Sequence, residues 1–238
     1  MKFIITLFLI LSLTTAKSQE LDRLYYMLGY NTWDFSLPYQ YGSDLKSRKM
    51  TFEIYETDLG KAYRFSEVTG FKFKKRKPEK DCLNCHQFYK FIGIPSFYKY
   101  GNFYDFKYSR SKETFYGLGE VELEKQHGFY KPDILKNATQ LQMKSFLAGV
   151  YLDAGSIKGD TVKFEFHNAL NQNLIIIKDF INTIEGFQYL SVKHRNDEGD
   201  LYGPTLFLVP NKILWDLFRN EEERKKILLS TNGLNPLK

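Results

Sequence analysis

Residues 131–157 read KPDILKNATQLQMKSFLAGVYLDAGSI, and the fold turns on the step Phe146-Leu147-Ala148-Gly149 within it. The stretch is expected to form one helix that ends in a tight turn of small residues. Pro132 suits a first helical position, where a missing N–H costs nothing. Ile134, Leu135, Ala138, Leu141 and Ser145 follow at spacings of three and four, so the pattern puts them on one face. Gly149 stands inside the same helix, where Gly costs about 1 kcal/mol against Ala. A bare backbone repays that cost where a second helix packs at very short range, as small-residue interfaces permit. Ala148 and Gly149 are therefore candidates for a helix–helix contact.

A second stretch has the same outline. Leu21, Leu24, Tyr25 and Leu28 recur at helical spacing, and this helix is expected to close at Gly29. Aligning Gly29 with Gly149 sets Asp34 opposite Ala154, and Ser36-Leu37 opposite Ser156-Ile157. The parallel continues downstream. Residues 49–56 and 161–168 read as strands, each containing Phe-Glu. Residues 58–70 and 171–186 read as amphipathic helices stopped by Gly. Residues 71–77 and 187–195 read as basic strands, and 88–94 and 205–209 as returning strands. Pro95 and Pro210 each open an aromatic-rich helical run, ending near Phe106 and Phe218. The order helix, strands, helix, strand, strand, helix thus occurs twice, and an internal repeat is more telling than any single motif.

The two stretches resemble the LAGLIDADG family of homing endonucleases. Leu147-Ala148-Gly149 stands as the family's opening letters, and Gly155-Ser156-Ile157 as its usual close. The resemblance implies an α/β (α+β) fold of two tandem repeats related by a pseudo-twofold axis, with Gly29, Ala148 and Gly149 at the interface between them. It also implies a monomer bound to double-stranded DNA. The family keeps an acid just before the closing Gly. Asp34 holds that place in the first copy, where Phe35 replaces the expected Gly. Ala154 holds it in the second, with Asp153 one position early. Asp34 and Asp153 are accordingly the candidate catalytic residues and Mg²⁺ ligands. A helix residue shifted by one is rotated by about 100°, so Asp153 substitutes only if the turn is rewound. The implied function is site-specific DNA binding with metal-dependent phosphodiester cleavage, degraded at one centre. Some relatives act instead as inactive RNA-splicing maturases on intron RNA.

The expected organisation is an apolar segment over 1–18, a first repeat over 19–106, a linker over 107–130, a second repeat over 131–219, and a C-terminal helix and tail over 220–238. The linker carries Gly117, Gly119 and Gly128. Residues 220–229, NEEERKKILL, run from acidic to basic as the helix dipole favours. Metal is the usual means of neutralising a scissile phosphate and activating water, and magnesium is commonly held by one or two carboxylates with water completing the shell. Strands can enter the major groove and read base edges. The candidates for DNA contact are Lys72, Lys74, Lys75, Arg76 and Lys77 in the first copy, with Lys193, His194 and Arg195 at the matching place in the second. Alternation sets Lys72, Lys74 and Arg76 on one strand face and Phe71 and Phe73 on the other.

Composition agrees with a globular chain. Of 238 residues, 43% are hydrophobic and 17% aromatic, which excludes a disordered polymer. A net charge of +6 suits a nucleic acid or another anionic surface. Two features point elsewhere. Residues 1–18 have a basic start, an apolar run and small residues at Thr14 and Ala16, the shape of a secretory signal peptide. Cys82, Cys85 and His86 form CxxCH, which serves c-type haem attachment, a disulfide or a partial metal site. The competing reading is an exported protein carrying a disulfide or haem c there. Location divides the same way, intracellular or organellar for a nuclease, secreted or periplasmic if the leader is real.

Overall fold

The structure is a computed structural model that describes residues 20–30, 37–38, 53–75, 88–92, 103–115, 119–131, 136–166, 171–185, 189–193 and 205–232. It is an α+β protein of small antiparallel sheets and helices. Two central helices, α1 (Arg23–Tyr30) and α3 (Gln140–Ala154), lie against each other at its centre. Every residue of α1 from Tyr25 to Tyr30 is buried, as is α3 from Ser145 to Leu152. A helix apolar on all sides must be covered on all sides, and the remaining elements supply that cover.

Strands β2 (Glu53–Tyr55), β3 (Lys72–Lys75) and β4 (Phe88–Ile92) form one sheet in the order β2-β4-β3. Helix α2 (Leu59–Thr69) connects β2 to β3 and ends at Gly70, whose φ of 71° is the left-handed stop expected of that glycine. The second sheet has strands β7 (Gly155–Lys158), β8 (Thr161–Glu165), β9 (Tyr189–Lys193) and β10 (Thr205–Val209), in the order β7-β8-β10-β9. Helix α4 (Asn171–Glu185) connects β8 to β9. The orders β2-β4-β3 and β8-β10-β9 are the same connection made twice. Their registers match as well. Glu53 faces Lys90, which faces Lys74, while Glu165 faces Thr205, which faces Lys193. In each sheet one face is apolar and covered, with Phe73 and Phe91 in the first and Phe164, Leu206 and Leu208 in the second.

Several expectations need correction. The linker over 107–130 is a β-hairpin. Strands β5 (Tyr104–Phe115) and β6 (Gly119–Tyr130) pair residue for residue, and the short strand β1 (Leu37–Pro38) adds to β6. The cause is legible afterwards. Tyr104, Phe106 and Tyr108 alternate with polar residues at period two, and opposite charges face in register at Arg110–Glu124 and Lys112–Glu122. The aromatic run expected as helix to Phe106 is therefore strand from Tyr104 onward. The pairing of β1 with β6 also separates Leu37 from its expected counterpart, since Ile157 pairs within β7-β8.

Helix α3 starts later than Pro132 would place it. Thr139 is its N-cap, and a capping box joins the Thr139 side chain to the Gln142 amide and the Gln142 side chain to the Thr139 amide. Ala138 thus precedes the helix, and Leu141, expected on the covered face, is exposed. Helix α1 runs one residue past Gly29, with the Asp22 carboxylate accepting from the Tyr25 amide at its start. The helical run after Pro210 and the separate C-terminal helix are one helix, α5 (Lys212–Asn232), because nothing from Leu217 to Asn220 breaks it.

Helix α5 belongs by sequence to the second half but packs across α2 of the first. Glu221 is buried there and held by three donors. The Arg64 Nε donates at 2.9 Å, a second Arg64 nitrogen bonds the other oxygen, and the Tyr26 hydroxyl donates at 2.9 Å. Burial disfavours the Arg64 charge, but hydrogen bonds and charge from Glu221 outweigh it and raise the guanidinium pKa. Glu67 closes the network by accepting from Arg64 at 2.6 Å and from Arg224 at 2.9 Å.

Candidate nucleic-acid interface

The seam between α1 and α3 is built backbone to backbone. A methyl group added at Gly29 would lie 2.7 Å from the Phe146 carbonyl carbon and closer still to its oxygen. One added at Gly149 would lie 2.7 Å from the Tyr30 nitrogen and closer still to the Tyr26 carbonyl oxygen. The sequence offset that superposes Gly29 on Gly149 also superposes Tyr26 on Phe146. Each glycine therefore receives the counterpart of the residue that its own helix presents. Such reciprocity is the mark of an isologous, twofold contact. The helices are parallel. At one end the Asp22 amide donates to the Ser145 hydroxyl at 2.8 Å, and at the other Tyr30 meets Asp153, so the local axis runs along the pair.

At that second end stand Tyr30, Asp58, Lys61 and Asp153. The Lys61 ammonium donates to the Asp153 carbonyl at 3.0 Å and lies 3.8 Å from the Asp58 carboxylate. It thereby places positive charge at the C-terminus of α3, where the helix dipole favours it. Burial first, then the Asp153 and Asp58 carboxylates, push the Tyr30 phenol well above its ordinary range. The Asp153 backbone carbonyl thus faces the neighbouring helix α2, while Ala154 ends α3 with a methyl group. Among the described residues no three His, Cys, Asp or Glu side chains gather as a metal site. Asp34, the expected partner of Asp153, lies outside the described residues, as do Arg76, Lys77, Cys82, Cys85, His86, His194 and Arg195.

The uncovered sheet faces carry the basic residues. On the first sheet Lys72, Lys74 and Lys75 are exposed while Phe71 and Phe73 are buried, as alternation requires through Lys74. Lys90 of β4, which sequence reading missed, is also exposed and stands directly opposite Lys74. Its signal was the alternation in FYKFI, where Lys90 falls out of phase with buried Phe91. On the second sheet Lys193 holds the place of Lys74 in register. Lys158 and Lys163 join it on that face, and both were missed as well.

No family model matches the chain, and no curated protein matches it. Three solved chains match it. One is described as the homing endonuclease I-WcaI bound to its DNA recognition sequence. Its identity to this chain is 16% and the TM-score 0.44, over 85% of this chain and 82% of that one. A superposition that loose carries no functional weight.

Proposed function

We propose that the chain is a LAGLIDADG-like protein that binds a long duplex DNA site made of two related halves, one for each sheet. The observation that supports this most is the reciprocal contact of Gly29 with Phe146 and of Gly149 with Tyr26. A twofold relation between two sheets that share a three-strand order turns corresponding faces toward one side. Duplex DNA offers a matching symmetry, and its major groove admits paired strands. Lysines on the open faces supply phosphate contacts, and Thr205, Ser191 and Thr161 stand in the same rows for hydrogen bonding to bases. Phosphodiester cleavage, in this reading, is confined to the half that carries Asp34. Ala154, whose methyl group cannot ligate a metal, speaks against cutting by the other half.

The test is fluorescence anisotropy of the chain lacking residues 1–18 with a mixed-sequence 30-base-pair duplex, at rising salt. Binding at low salt that weakens steeply with salt is expected. No binding at low salt would overturn the proposal, and a mass gain of one haem on the intact chain would favour the exported reading instead. Preference for a structured RNA over duplex DNA would favour the maturase reading.

A further inference from the structure

Among the described residues, Ile92 is the one large apolar side chain exposed on a strand, at 48%. It stands on the open face of the first sheet. Lys72 is directly opposite it on β3, and Lys90 lies two residues back along β4 on the same face. Both lysines are exposed. The register of the second sheet puts Phe207 at the corresponding place. Lys90 and Thr205 each stand opposite the glutamate of a Phe-Glu step, Glu53 in β2 and Glu165 in β8, and Ile92 and Phe207 follow them by two residues. Phe207 is half-buried and directly opposite Lys163, on the face away from buried Leu206 and Leu208. Val209 extends its row at the end of β10. A single apolar side chain on a surface is ordinary. Two at one register position in two related sheets, each with a lysine across the strand, form a pattern.

We infer that Ile92 and Phe207 are specificity-determining residues that contact the 5-methyl group of thymine, one in each half of the DNA site. This rests on the duplex-DNA reading above and deepens it. The major groove presents hydrogen-bond donors and acceptors at every base pair, and the thymine methyl is its apolar feature. The lysines around Ile92 supply the charge that brings a groove to this face. An apolar side chain carried there gains contact over thymine. Over the polar edge of a G·C pair it would instead cut donors and acceptors off from water, which is costly. The twofold relation of the sheets sets the two thymines at equal distances from the centre of the site, on opposite strands.

The experiment is a selection by the full chain from a pool of random 30-base-pair duplexes, followed by titration of the selected duplex. Thymines are expected at two mirrored positions. Ile92→Ala and Phe207→Ala should each remove the preference in one half and spare the other. Uracil differs from thymine only in lacking the methyl group, so it probes the contact without altering the protein. Uracil at either position should weaken parental binding about fourfold, the worth of one buried methyl-sized group, and at both positions about fifteenfold. In each alanine variant, uracil in the half that has lost its apolar side chain should cost nothing further. Should an alanine variant fail to fold, the uracil series on the parent decides alone. A selected site without mirrored thymines, or parental affinity unchanged by uracil at both positions, would overturn the methyl contact while leaving DNA binding standing. Failure of the parent to bind the pool at low salt would overturn both.

Discussion

Replacing Gly29 by Ala tests the seam where the structure is most exacting. The new methyl group would stand 2.7 Å from the Phe146 carbonyl carbon, whereas ordinary contacts of this kind run 3.4–4 Å. Helices α1 and α3 must then part by roughly 1 Å, and a gap of that size forfeits a quarter to a half of each contact's dispersion energy. Overpacking costs about 1–3 kcal/mol, and the upper end applies because a backbone carbonyl cannot rotate away. Ala returns about 1 kcal/mol through helix propensity, leaving a net loss of about 2 kcal/mol. That loss lowers the melting temperature of a chain this size by about 4–8 °C. Gly149→Ala meets Tyr26 and Tyr30 in the same way, so the same loss is expected. The double variant is decisive. One separation of the helices relieves both methyl groups, so the pair should cost no more than about 2 kcal/mol, against about 4 if the sites were independent. Urea unfolding of the four proteins measures the coupling, which lies in the range seen for residues in contact. Additivity within about 0.5 kcal/mol, or a single variant as stable as the parent, would refute the reciprocal seam.

Other outcomes follow from the same contacts. Glu221→Ala leaves Arg64 buried without its main partner and should cost about 3–5 kcal/mol in urea unfolding. Thr139→Ala removes the capping box of α3 and should cost about 1 kcal/mol by the same assay. Acid should weaken the α2–α5 contact. Burial alone would raise the Glu67 pKa, but hydrogen bonds from Arg224 and Arg64 outweigh it and hold the pKa below its ordinary 4.5. Glu222 is lowered similarly, against burial, by Lys225 and Lys226. Carboxylates with depressed folded-state pKa values stabilise above the unfolded pKa and lose that contribution as pH falls through the folded one. Urea stability should therefore fall below about pH 4.5, modestly because both groups are partly solvated, and less steeply in Glu67→Gln.

Much of the fold could be read from periodicity. The strand at 205–209 and the helix stopped by Gly70 fall where pattern and turn chemistry put them. The glycine step at 146–149 announced a close helix contact because Gly in a helix needs a reason. Its partner at Gly29 was legible only through the repeat. The hairpin from Tyr104 to Tyr130 was missed because three glycines and mixed charge imitate a linker, although its strands are neighbours in sequence and Tyr104, Phe106 and Tyr108 carry the period-two pattern. Pro132 misled in the other direction. A proline suits a helix start, but Thr139 with Gln142 offers two hydrogen bonds, and there the helix begins. Lys90 escaped notice because a single lysine in an aromatic strand draws attention only once its opposite neighbour is known to be Lys74.

The most direct test of the account is a selection of bound sites from random duplex DNA by the chain lacking residues 1–18. A long enriched site with two related halves is expected, and on Mg²⁺ addition cutting of no more than one strand, abolished by Asp34→Ala. A selection that enriches no sequence at low salt, or a single short site with no internal relation, would contradict it.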